Sequence, residues 1–168
     1  MMSMMRFPLL SSWGLAFCLA CGLAGCTDAR TRTEVDAIGG PSMEEGAILA
    51  AVQGLFQALE ARDANRLSLA LREDATFTRV DVRGDTLKTK FVSGADFIAS
   101  VSGEGPPLIE RMQDPVVHWS GDFADVWTAY TFHIGEELSH CGHDAIQLVK
   151  EDGRWRTLGV VYTINACP

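Results

Sequence analysis

Five consecutive residues, His140-Cys141-Gly142-His143-Asp144, bring two imidazoles, a thiol and a carboxylate together near the end of the chain. They do not read as a metal site. On an extended strand His140 and Asp144 point one way while Cys141 and His143 point the other, and no second cluster completes a ligand set. No metal and no cofactor are therefore expected. Nucleophilic catalysis has no Gly-x-Ser-x-Gly elbow to rest on, and there is no Gly-rich phosphate loop, since the glycines fall at turns or near the N-terminus. What remains is proton transfer or hydrogen bonding by Asp144, with His140 or His133 as its partner. A carboxylate among apolar neighbours is desolvated, and its proton affinity rises unless a donor compensates. Asp144 thus reads in one of two ways. It is an acid/base or ligand-binding group on a pocket wall, or it is a carboxylate satisfied by backbone N–H groups or by an upstream arginine such as Arg79.

The elements that must position Asp144 are three alternating segments, Phe123–Ile134, Leu138–Lys150 and Arg154–Asn165. Gly135-Glu136 and Asp152-Gly153 at their joints suit two-residue hairpins. In that register Ile134 pairs with Glu137, Trp127 lies opposite Asp144, and Asp144 lies opposite Val161. Strand alternation then puts Trp127, Ala129, Thr131, His133, His140, Gly142, Asp144, Ile146, Leu148, Trp155, Thr157 and Val161 on one face. Tyr130, Phe132, Cys141, His143, Ala145, Gln147, Val149, Arg156, Leu158, Val160 and Tyr162 fall on the other. Both faces are half apolar, which predicts that both are covered, one by helices and the other by a second subunit. A slip of one residue would exchange the faces.

Upstream, Ser42 follows Pro41 and precedes Glu45 by three, a capping box for a helix over 43–61 with Ile48, Val52, Leu55, Phe56 and Leu59 as its apolar stripe. Asp63 caps a short second helix carrying Leu67 and Leu71. Phe77–Val82 and Thr86–Phe91 flank Arg83-Gly84-Asp85 as a first hairpin. Ser93 and Asp96 cap a third helix with Phe97, Ile98 and Val101, and Gly103–Pro107 stops it. A strand over 108–119 carries a bulge or bend at Asp114-Pro115. The order is α-α-β-β-α-β-β-β-β, an α+β domain.

The run Ser139–Ala145, followed by Gln147–Arg156 with its Asp-Gly-x-Trp-Arg turn, resembles the C-terminal hairpin of the nuclear transport factor 2-like superfamily, in its SnoaL-like and lumazine-binding branch. The likeness covers residues 43–165. It implies a cone: a curved antiparallel sheet of about six strands wrapped around a long N-terminal helix and open at one end. It also matches Ile146, Leu148 and Trp155 to the family's core, which turns the Trp127/Asp144/Trp155 face inward. The implied ligand pocket is Trp127, Thr131, His133, Asp144 and Trp155, with Asp144 and His140 as candidate catalytic groups. The opposite face, with Phe132, Val149, Leu158, Val160 and Tyr162, becomes a homodimer surface. The superfamily includes isomerases, cyclases and dehydratases. The isomerase design pairs an Asp base with a Tyr and a protonated Asp, whereas here the first helix holds no Tyr and both tyrosines fall on the outward face. The leading expectation is a binder of a small, mostly apolar ligand. The alternatives are an isomerase, cyclase or dehydratase, or an interaction module whose cone is filled by its own side chains.

Phe7–Leu23 is apolar and too short to span a bilayer, and Leu23-Ala24-Gly25-Cys26 has the form of a bacterial lipobox. Residues 1–25 thus read as a lipoprotein signal, Cys26 as the lipidated residue, 26–41 as a tether poor in apolar residues, and 42–168 as the domain. The expected location is the cell envelope, on the periplasmic side of the outer membrane in a Gram-negative cell. A formal net charge of −8 argues against nucleic acid as a partner. With Cys18 and Cys21 in the signal and Cys26 acylated, Cys141 and Cys167 remain as a disulfide pair in an oxidising compartment.

Overall fold

The computed structural model describes residues 42–168. The lipobox, Cys26 and the tether lie outside the described residues. Three helices and six strands follow in the order α1 (Met43–Glu60), α2 (Ala64–Ala70), β1 (Leu71–Asp81), β2 (Lys88–Ser93), α3 (Gly94–Val101), β3 (Leu108–Ser120), β4 (Phe123–Ile134), β5 (Glu137–Glu151) and β6 (Arg154–Ile164). Each helix starts where local chemistry demands. The side chain of Ser42 accepts from the Glu45 N–H, that of Asp63 from Asn65 and Arg66, and that of Ser93 from Asp96. Each cap satisfies amide groups that the first turn leaves unpaired, and is worth about 1 kcal/mol.

The strands form one sheet in the order β2-β1-β6-β5-β4-β3. It departs from the expected all-antiparallel sheet at one pair, because β1 and β6 run parallel. Those two strands are joined by most of the domain rather than by a hairpin, so no tight turn dictates their direction. Ile48, Val52, Leu55 and Leu59 of α1, with Leu67 of α2, cover one face and pack on Phe77, Val126, Ile146, Leu148 and Val160.

Two bulges decide which side chains lie under the helices. Both expected hairpin turns are present, with Ile134 opposite Glu137 and Glu151 opposite Arg154. Beyond the first turn His133 pairs with Leu138 but Phe132 pairs with His140, so Ser139 is an extra residue. Beyond the second, Leu148 pairs with Thr157 but Gln147 pairs with Gly159, so Leu158 is another. A bulge shifts register by one and strengthens the local twist of the strand. Trp127 therefore faces Ala145 rather than Asp144, and Asp144 lies between Thr128 and Tyr162 rather than beside Val161.

The consequence is a correction to the inward set. On β5, Asp144, Ile146 and Leu148 face the helices as expected, but β4 is inverted and β6 is inverted beyond its bulge. Tyr130, Phe132, Val160 and Tyr162 point inward. Trp127 and Val161 lie outside, 49% and 48% exposed. Three of the five residues expected to form an outer apolar patch are thus inside. A different row occupies the outer face: Val116, Trp127, Ala145, Val161, Thr78 and Phe91 lie side by side across all six strands.

Tyr130 is fixed by backbone. Its hydroxyl donates to the Thr163 carbonyl at 2.7 Å, and its ring lies against Gly142, where a Cβ would sit 2.0 Å from that carbonyl oxygen and 2.7 Å from Tyr130 Cε1. The chain end is tied to the same place. Cys141 and Asn165 exchange backbone hydrogen bonds, and Cys141 and Cys167 form a disulfide with Cα atoms 5.1 Å apart. Gly142→Ala is therefore expected to lower unfolding free energy by at least about 2 kcal/mol in urea titration. Gly84→Ala, where nothing lies within 4 Å of the added methyl, is expected to leave it nearly unchanged.

Candidate functional site

A cavity of about 200 Å³ lies between the inward face of the sheet and helices α1 and α3. Its walls are largely apolar: Leu55, Phe56 and Leu59 from α1, Phe97 and Val101 from α3, and Phe77, Phe132, Val160 and Ile164 from the sheet. The rings of Phe77 and Phe97 stack at 3.9 Å between centroids. Five polar side chains reach into this lining: Asp144, Glu110, Tyr130, Tyr162 and Arg79, with His140 beside them.

Asp144 and Glu110 are the chemical centre. Asp144 is 1% exposed, and apart from the neighbouring Glu110 carboxyl neither of its oxygens meets a backbone N–H or other protein donor. Glu110 is half-buried as a residue, but its carboxyl is enclosed and in hydrogen-bonding contact with that of Asp144. Burial pushes both groups up. Glu110 goes well above the carboxylate range, raised further by the charge of Asp144 and by donating to it, while Asp144 rises to about 7. Two carboxyls at contact distance cannot both ionise cheaply, so the pair retains a proton at neutral pH, on Glu110 and shared toward Asp144. One proton can satisfy only part of the pair's acceptor capacity.

The neighbouring groups are arranged unequally around it. Tyr130 has committed its hydroxyl proton to Thr163, and burial raises its pKa. Tyr162 is raised by burial too. His140 stacks on Phe132 at 4.8 Å, and burial, then the positive charges of Arg83 and Arg79, lower its pKa, so its imidazole is neutral at pH 7. Arg79 lines the cavity with its Nε enclosed and unpartnered.

Among the residues singled out from the sequence, Asp144 and His140 are brought to the same cavity. Trp127 stacks on His143 at 5.4 Å on the outer face. Thr131 and His133 share that face, and their expected place in the lining is taken by Tyr130 and Phe132. Trp155 points inward but lies away from the cavity, donating through Nε1 to Glu44 Oε1 at 2.7 Å, which Lys150 also reaches at 2.8 Å. Those two donors hold the Glu44 carboxyl below its usual range. Glu110 is the partner that sequence reasoning missed. Its signal was the alternation Leu108-Glu110-Met112, in which two core-packed apolar residues flank an acid on the same face.

Neither a protein-family model nor a curated relative matches the chain. Solved structures do. A nuclear transport factor 2-like protein from Cytophaga hutchinsonii superposes with a TM-score of 0.61 at 17% identity, over 73% of this chain and 99% of its own. One of unknown function from Silicibacter pomeroyi gives 0.55 at 19%, over 75% and 99%. A candidate scytalone dehydratase from Novosphingobium aromaticivorans gives 0.57 at 14%, over 72% and 83%. At these identities the likeness establishes the fold alone: the described domain has the cone fold of these nuclear transport factor 2-like proteins.

The carboxyl pair makes stability depend on pH in a definite direction. Asp144 titrates near 4 when unfolded and about 7 when folded. The folded state therefore binds the proton more tightly, and stability present below pH 4 is lost as pH rises through 7. Relative to Asp144→Asn, which cannot ionise, the wild type is expected to lose on the order of 3 kcal/mol between pH 4 and pH 8. Parallel denaturant titrations of the two proteins across that range measure it.

Proposed function

We propose that this protein binds a small, mostly apolar ligand inside the cone and reads one polar group of it with Glu110 and Asp144. The observation that carries this reading is the 200 Å³ cavity with largely apolar walls and, in it, the Asp144 carboxyl, whose buried oxygens find no donor in the protein beyond Glu110. Buried polar atoms are nearly always hydrogen-bonded in folded proteins, and exceptions cluster where a ligand or a reaction supplies the partner. The separated proton affinities of the pair also favour a second reading, an acid/base enzyme of the isomerase, cyclase or dehydratase kind with Asp144 as base and Glu110 as acid. Turnover of a bound compound, as opposed to binding alone, separates the two. The Ser139–Asp144 run and the Asp152–Arg156 turn favour the SnoaL-like, lumazine-binding branch.

The remaining parts of the proposal concern where the domain sits. The Leu23-Ala24-Gly25-Cys26 run supports anchoring in the cell envelope by acyl chains on Cys26. The outer row of Val116, Trp127, Val161 and Phe91, each about half exposed or more, supports a homodimer through that face of the sheet.

Three outcomes are expected. 4-Methylphenol, a neutral arene with one hydroxyl, raises the melting temperature of the wild type, by about 2.7 kcal/mol of stabilisation at a hundred times its Kd, and fails to do so in Val160→Phe, which fills the cavity. A palmitate analogue fed to expressing cells labels the wild type and not Cys26→Ser. In sedimentation, the wild-type domain runs as a dimer at micromolar concentration and Trp127→Glu as a monomer.

A further inference from the structure

Arg79 is the cavity group that the carboxyl pair does not account for. Arg72 and Arg83 are each ion-paired, to Asp74 and Glu151 and to Asp81 respectively. Arg79 lines the cavity, yet among the described residues it joins no ion pair and donates no hydrogen bond, and its Nε is enclosed. A guanidinium keeps its charge at every pH of interest and holds five N–H donors in a planar fork. An enclosed Nε–H without an acceptor is costly, and the cavity is where an acceptor has room to sit.

The sheet register sets the distance such a ligand must span. Arg79 on β1 lies beside Tyr162 on β6, and Tyr162 lies beside Asp144 on β5. Arg79 and Asp144 thus sit two strands apart, roughly 10 Å at the backbone, and point into the same space. One end of that space presents permanent positive donors. The other presents Asp144, whose free acceptor oxygen is left over after the Glu110 proton is shared. Aromatic rings, Phe77 stacked on Phe97 and Phe132 stacked on His140, stand around it.

On the reading that this cavity is a ligand site, we propose that its ligand is a small planar acid: a single aromatic or similarly flat ring with a carboxylate at one end and a hydroxyl at the other. The carboxylate docks on the Arg79 fork, which matches it two bonds at a time. The hydroxyl donates to Asp144. A second anionic group is disfavoured, because it would meet the acid pair. Polyphosphates and nucleotides are too large and too polar for a space of about 200 Å³ with these walls.

The test is calorimetric titration of the wild-type domain, Arg79→Gln and Arg79→Lys with 4-hydroxybenzoate and with 4-methylphenol, which has the same ring and hydroxyl but no carboxylate. In the wild type, 4-hydroxybenzoate is expected to bind at least tenfold more tightly. Arg79→Gln should erase that advantage while leaving the affinity for 4-methylphenol within twofold, which also certifies that the variant is folded. Arg79→Lys, which keeps the charge without the fork, should restore part of it. Equal wild-type affinity for the two probes, or an advantage that survives Arg79→Gln, overturns the ligand class and leaves the binding site standing. Failure of both probes to bind at millimolar concentration overturns both.

Discussion

A pair of carboxyl groups enclosed among phenylalanines, with no donor from the rest of the protein, is the constraint around which this domain is built. Burying Asp144 as a lone carboxylate would be prohibitive, and burying it beside an ionised Glu110 more so. The arrangement is tolerable because one proton stays in the pair. Burial raises the proton affinity of both sites, makes Asp144 a base near neutrality, and leaves an acceptor facing a largely apolar cavity.

Everything that keeps the pair enclosed works through the curl of the sheet. Bulges at Ser139 and Leu158 twist β5 and β6 so that Asp144, Tyr162 and Val160 turn under the helices together. Gly142 lets the Tyr130 ring approach β5 closely, and the Tyr130 hydroxyl is spent on the Thr163 carbonyl. That bond matters for chemistry as well as packing, because it removes the nearest hydroxyl from the list of donors available to Asp144. The Cys141–Cys167 bridge closes a loop of 26 residues and pins the chain end beside the cavity, where Ile164 forms part of the wall. Loop closure of that length is worth about 3.5 kcal/mol in the chain-entropy account.

The sequence disclosed the features that local chemistry decides. Ser42, Asp63 and Ser93 cap the helices they were expected to cap, the turns at Gly135 and Gly153 fall where Gly-containing pairs stand, and the register of β3 shifts at Asp114-Pro115, where a proline cannot donate to its neighbour. Asp144 and His140 were legible as cavity residues because β5 keeps its own alternation. Their neighbours were not. Ser139 and Leu158 look like ordinary strand residues, and an extra residue in a ladder leaves no mark on composition, yet each exchanges the faces of everything beyond it on the partner strand. Trp127, the largest side chain near Asp144 in the simple hairpin register, went outside for that reason, and Tyr130 and Tyr162 came in. The pairing of Glu110 was not legible for another reason: its partner lies two strands away, on β5, rather than on the adjacent β4, and no period within one strand reports such a contact.

The most direct measurement is infrared difference spectroscopy of the wild-type domain against Asp144→Asn and against Glu110→Gln at pH 6. A retained proton predicts a protonated-carboxyl carbonyl band in the wild type that shifts on transfer to D₂O and loses only the Glu110 contribution in Glu110→Gln, the buried Asp144 keeping its own. It further predicts that this band bleaches as pH is raised through 7 and beyond. A spectrum in which all carboxyl groups are ionised at pH 6, with no such band in the wild type, would contradict the account.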